Sequence, residues 1–144
     1  MPNNKPIKVI IDTNLWISFL IGKQLGGLKE LLIAQKIQPI FSQQLLDEIN
    51  LVTQRPKLHK YFPLDKVQEL INFLKINGLL VEIKLEVSIC RDSKDNYLLA
   101  LAQDSGADYL VTGDQDLLSL NSFATTEIVT YQEFLIKINH NRFP

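Results

Sequence analysis

Lys8-Val9-Ile10-Ile11-Asp12-Thr13-Asn14 is the stretch on which the reading of the chain turns. Val9, Ile10 and Ile11 form a continuous β-branched run, which suits a short strand buried on both faces, as in a parallel sheet. Asp12 closes that strand. A carboxylate placed directly after a buried strand is costly unless it caps the next helix, meets a cation or holds a metal. All three roles are open to Asp12 on the residues alone, since aspartate is also a favoured N-cap.

Downstream, Leu15, Trp16, Phe19 and Leu20 recur at helical spacing before Gly22. Leu28, Leu31 and Leu32 share a second helical face that leads into a short strand from Ile37 to Phe41, where Pro39 favours a strand start or an edge. Ser42 is a candidate N-cap for a helix with Leu45, Ile49 and Val52 as its buried stripe and Glu48 at its border. Arg55-Pro56-Lys57 breaks that helix. A further helix from Leu64 buries Val67, Leu70, Ile71 and Leu74 and stops at Asn77-Gly78, and Leu79 to Ile83 reads as a third strand.

Cys90-Arg91-Asp92-Ser93-Lys94-Asp95-Asn96 precedes a helix on whose apolar face Asp95, Leu98 and Ala102 fall at i, i+3 and i+7. Gly106 ends it. Tyr109 to Val111 forms a fourth strand, followed at once by Thr112-Gly113-Asp114-Gln115-Asp116 and a short helix around Leu117 to Leu120. Glu127 to Thr130 reads as a fifth strand and Tyr131 to Ile138 as the last helix. Strands alternating with helices predict an α/β fold with a mainly parallel five-stranded sheet. In such a sheet the carboxyl ends of all strands share one edge, where open α/β sheets place their sites. Asp12, Glu48, Asp92, Asp95, Asp114 and Asp116 all come after strands, so six acids converge on one rim.

With 144 residues, 46% of them hydrophobic, the chain fits one domain over residues 1–144 with its core at about 7–138. Fifteen Lys and Arg against 16 Asp and Glu leave a net charge of −1, which gives no global sign of affinity for nucleic acid or anionic membranes. A single cysteine, Cys90, and a polar start from Met1 to Lys8 predict a cytoplasmic protein, and no apolar run suits a membrane helix. Phosphate-binding loops, dinucleotide fingerprints, calcium loops and nucleophile elbows are absent.

Singly, each acid has a plain explanation as a cap, a turn residue or a solvated helix position, and Asp92 in particular suits a cap. Together they repel one another and raise one another's pKa unless a cation offsets them. Oxygen ligands without clustered Cys or His favour Mg²⁺ or Mn²⁺ over zinc. A carboxylate-held divalent site with open positions suits phosphodiester cleavage.

At these positions the chain resembles the PIN-domain ribonucleases, and among them the toxin components of type II toxin-antitoxin systems. The likeness runs from about Ile7 to Leu135. It rests on Val-Ile-Ile-Asp12-Thr-Asn14, on Glu48 followed by Arg55-Pro56-Lys57, on Arg91-Asp92-Ser-Lys-Asp95-Asn96 before Ala100 and Ala102, and on Thr112-Gly-Asp114-Gln-Asp116-Leu.

The resemblance implies a three-layer α/β/α fold and a Mg²⁺- or Mn²⁺-dependent endoribonuclease acting on single-stranded RNA, often dimeric and often inhibited by a cognate antitoxin. It implies Asp12, Glu48, Asp95 and Asp114 as catalytic metal ligands, with Asp116 and Asp92 as accessory acids. Asn14, Thr112 and Ser42 would orient those ligands. Arg55, Lys57, Lys60 and Lys94 are candidate phosphate contacts. A non-catalytic PIN-like module that binds a protein partner is the alternative from another class. An α/β phosphatase with Asp12 as nucleophile is the other, although Asn14 stands where that chemistry wants a second aspartate.

Overall fold

A computed structural model describes residues 5–22, 26–57, 59–84, 86–90 and 93–142. The β-branched run forms β1 (Ile7–Ile11), which pairs in parallel with β2 (Ile37–Phe41) on one side and β4 (Tyr109–Val111) on the other. Val9, Ile10 and Ile11 are almost wholly buried, as a strand covered on both faces requires. Beyond β2 lies β3 (Leu79–Leu80). Beyond β4 lie β6 (Thr126–Val129) and then β5 (Ser122–Phe123), giving the order β3-β2-β1-β4-β6-β5. Every pairing is parallel except β5 with β6.

The expected mainly parallel α/β/α fold is therefore present, with six strands among the described residues where five were expected. The extra one, β5, forms a tight hairpin with β6 through Ala124, whose φ of 53° lies in the left-handed region. Two residues carry no alternation pattern, which is why the strand leaves no trace in the sequence. Both sheet edges, β3 and β5, are two-residue strands, and so short an edge offers little template for pairing with another chain.

The third strand is shorter than the expected Leu79 to Ile83 because its partner runs out. The Val81 amide still donates to the Phe41 carbonyl at 2.9 Å, but Phe41 is the last residue of β2. Pro39 sits in the middle of β2 rather than at a start or a free edge. Its carbonyl faces Gly78 just before β3 begins, so the N–H it lacks has no strand partner on that side. Gly78 is fixed by the same crowding. A Cβ there would lie 2.7 Å from the Leu74 carbonyl, 2.8 Å from Phe41 Cε1 and 2.8 Å from the Pro39 carbonyl.

Seven α-helices are described: α1 (Thr13–Ile21), α2 (Leu28–Ile33), α3 (Gln43–Thr53), α4 (Leu64–Asn77), α5 (Ser93–Ser105), α6 (Gln115–Leu118) and α7 (Tyr131–Arg142). A 3-10 turn at His59–Tyr61 separates α3 from α4. Helices α1, α3 and α4 pack against one another, while α7 lies on β4 and β6. Of the expected stripes, Leu45 and Ile49 on α3 and Val67, Leu70, Ile71 and Leu74 on α4 are buried, whereas Val52, in the last turn of α3, is only half-buried. Trp16 is core, as its place in the α1 pattern suggested. Among the described residues no helix is long and apolar enough to cross a membrane.

Candidate metal centre

Strand order reverses at β1, whose neighbours β2 and β4 come from different parts of the chain, and sites in open α/β sheets form at such switch points. Asp12 leaves the end of β1 there, its amide bonded to the Val111 carbonyl at 3.0 Å. One carboxylate oxygen, Oδ1, accepts the Asn14 amide at 3.3 Å and so caps α1. The other, Oδ2, accepts the Thr112 hydroxyl at 2.8 Å. One side chain thus caps α1 and ties the end of β1 to the loop after β4.

The Thr112 oxygen in turn accepts the Asp114 amide at 3.1 Å, and Asp114 Oδ1 accepts the Asp116 amide at 2.8 Å. Thr112 is buried, so its hydroxyl has no competing water and holds the loop after β4 against the end of β1. Burial pushes the Asp12 carboxyl above its ordinary pKa. The bonds from Thr112 and the Asn14 amide pull it back, and the charge of Asp114 adds to the rise.

Beside Asp12, carboxylate oxygens of Asp95, Asp114 and Asp116 lie within 4.8 Å of one another. Asp95 comes from the first turn of α5 and is only 4% exposed, whereas Asp114 and Asp116 are half-buried. Holding a buried carboxylate ionised next to two others is costly without a counter-charge. The donor set is three hard oxygens with no sulfur or imidazole among them, which fits Mg²⁺ or Mn²⁺. Cys90 stands close enough to feel the trio. Burial raises its thiol pKa, and the charges of Asp95, Asp116 and Asp114 raise it further.

Asp12 and Glu48 stand outside that 4.8 Å group. Glu48 projects from α3, and the Tyr97 hydroxyl donates to its Oε2 at 3.4 Å from α5. Burial, and then the charges of Glu48 and Asp12, push the Tyr97 hydroxyl well above the ordinary tyrosine pKa. Asp95, Asp114 and Asp116 thus form a tight trio, and Asp114 is electrostatically coupled to Asp12.

The other expected residues divide in the same way. Asn14 contributes its backbone amide, and its side chain is exposed. The buried Ser42 hydroxyl accepts the Leu45 amide at 3.2 Å, starting the helix that carries Glu48. Asp92 lies outside the described residues, as does the side chain of Lys94. Arg55, Lys57 and Lys60 are exposed beyond the end of α3. At 1.5 Å per residue, Arg55 stands about 10 Å further along the helix direction than Glu48. None of the charges acting on Asp12 or Cys90 is one of these cations, and Lys60 instead places its Nζ 5.1 Å from the Tyr61 ring centre.

Tyr97 and Cys90 carry no assigned role in the sequence, and Thr13 and Asn96 enter it only within the motifs around Asp12 and Asp95. Asn96 clamps the approach to α5, accepting the Cys90 amide at 2.8 Å and donating to the Cys90 carbonyl at 3.0 Å. Its place directly after Asp95 was the available signal. Tyr97 meets Glu48 across 49 residues, a contact that local pattern does not encode.

Comparison with known proteins agrees with this geometry. The family pattern described as PIN domain matches residues 8–116, a span that runs from β1 through Asp116. An uncharacterized protein of Methanocaldococcus jannaschii is 33% identical over 117 residues, covering 79% of this chain and 75% of that protein. With the pattern spanning most of the chain and the relative covering three quarters of its own length, the chain belongs to the PIN-domain family.

Proposed function

We propose that the protein is a divalent-metal-dependent endoribonuclease that hydrolyses single-stranded RNA, with Mg²⁺ or Mn²⁺ as cofactor. The PIN domain is generally a nuclease fold, which supports a hydrolase acting on phosphodiester bonds. The observation that carries the reading is the trio of carboxylates within 4.8 Å of one another at the switch point of the sheet.

Asp95, Asp114 and Asp116 would hold the cation, with Asp12 beside them and Glu48 completing the ring of acids. When bound, a divalent cation offsets charge on the phosphoryl oxygens and acidifies water. Asp12 is held in one orientation by Thr112 and the Asn14 amide, and Asp114 by the same hydroxyl, so the loop after β4 meets the substrate already ordered. Exposed Arg55, Lys57 and Lys60, with Lys94, would track the RNA backbone away from the acids.

A role as the toxin of a toxin-antitoxin pair, inhibited by a cognate antitoxin and acting in the cytoplasm as a homodimer of one-domain chains, completes the proposal. Its support is the family resemblance.

Incubating the chain with single-stranded RNA in Mn²⁺, in Mg²⁺ and in EDTA tests the reading. Cleavage appears only with metal, and Asp95→Asn reduces it beyond the ~10–100-fold typical of groups that merely orient ligands. Cleavage that persists in EDTA, or full activity in Asp95→Asn, overturns the proposal.

A further inference from the structure

We propose that Tyr97 is a positioning residue for Glu48, its hydroxyl holding that carboxylate on the Asp12 side of the rim and so setting where the acid outside the trio stands. The inference rests on the nuclease reading and adds to it a residue that neither motif nor spacing assigns.

Three observations converge on the phenol. Its oxygen donates to Glu48 Oε2 at 3.4 Å, a long hydrogen bond that gives the carboxylate a preferred direction. That contact joins α5 to the middle of α3 across 49 residues of sequence. Tyr97 also lies two residues after Asp95, about 200° around the helix. The same helix therefore presents Asp95 to the trio and Tyr97 to Glu48.

The chemistry of the group suits that place. Two carboxylates facing one site repel each other, and a lysine between them would cancel the charge that attracts a cation. A phenol donates a hydrogen bond and adds no charge. The ring packs against the core, so Tyr97→Phe keeps the packing and removes only the hydroxyl.

The test compares wild type, Tyr97→Phe, Glu48→Gln and the double variant in the full chain. Each is followed by RNA cleavage, by Mn²⁺ titration of thermal melting, and by melting in EDTA to confirm the fold. Tyr97→Phe should lower kcat about tenfold, with KM for RNA changed by less than about twofold, and weaken the Mn²⁺ response by a similar factor. Added to Glu48→Gln, it should cost nothing more, because the hydroxyl acts through that carboxylate. Wild-type kcat in Tyr97→Phe, or a loss that multiplies fully with that of Glu48→Gln, overturns the inference. A wild-type chain that neither cuts RNA nor responds to metal overturns the nuclease reading itself, a result distinct from an active chain indifferent to Tyr97.

Discussion

Thr112→Val is the substitution whose effect the site geometry fixes most closely. Valine matches threonine in shape but removes the hydroxyl that donates to Asp12 Oδ2 at 2.8 Å and accepts the Asp114 amide at 3.1 Å. A hydrogen bond to a charged group contributes about 1.5–3 kcal/mol and a neutral one about 1 kcal/mol. Position 112 is 1% exposed, so water cannot replace either bond, and the added methyl recovers less than ~1 kcal/mol. Metal-free Thr112→Val should therefore lose about 2–3 kcal/mol at neutral pH. With a urea slope near 2 kcal/mol per molar, the unfolding midpoint falls by roughly 1–1.5 M. Thr112→Ser keeps the hydroxyl and should lose only about 1 kcal/mol for its missing methyl. The deficit of the valine variant should also shrink on acidification, because a protonated Asp12 is a weaker acceptor. Urea titrations in EDTA at neutral and acid pH read all of this. A valine variant within about 0.2 M of wild type, or one equal to the serine variant, would refute the role given to the hydroxyl.

Three further outcomes are expected from the structure. Asp12 has its pKa raised in the fold, so its favourable contribution is full below the unfolded value and is lost as pH rises through the folded one. Metal-free Asp12→Asn, which keeps a capable N-cap, should then be at least as stable as wild type at neutral pH by chemical denaturation, and a clear loss would contradict that. Gly78→Ala forces a Cβ to within 2.8 Å of two backbone carbonyls, and thermal melting should register a loss of about 1–3 kcal/mol, against no change if the approach were loose. Tyr131, whose hydroxyl donates to the Gly26 carbonyl at 2.7 Å, has a pKa pushed up to about 12 by burial and the Glu30 charge. Its stabilising effect is lost as pH rises from the ordinary value of 10 toward 12, so Tyr131→Phe should flatten the alkaline limb of the stability profile, and an unchanged limb would count against it.

The legible and the hidden parts of the fold divide along physical lines. The run Val9-Ile10-Ile11 has no polar face, so it had to be a central strand, and it pairs on both sides. Asp12, Asp95 and Asp114 were visible because a parallel sheet sends the segment after each strand to one edge. Elements of two residues, β3 and β5, have no period to read, and the length of β3 depends on where β2 stops. The resemblance makes Asp116 an accessory acid, yet its carboxylate stands in the trio because Asp114 caps the helix that carries it. Tyr97 sits just off the apolar register of α5, and its role depends on α3 arriving from 49 residues away.

The central claim is that these acids form a cation site. Melting the chelated protein against increasing Mn²⁺, with Asp114→Asn beside wild type, tests it most directly, since asparagine keeps the helix cap while removing a charge that belongs to the trio and acts on Asp12. At about 100 times the dissociation constant the ion should add ~2.7 kcal/mol, a rise of roughly 5–10 °C for a chain of this size. The account predicts that rise in wild type and its loss in Asp114→Asn; equal shifts in the two proteins, or none in wild type at millimolar Mn²⁺, would contradict it.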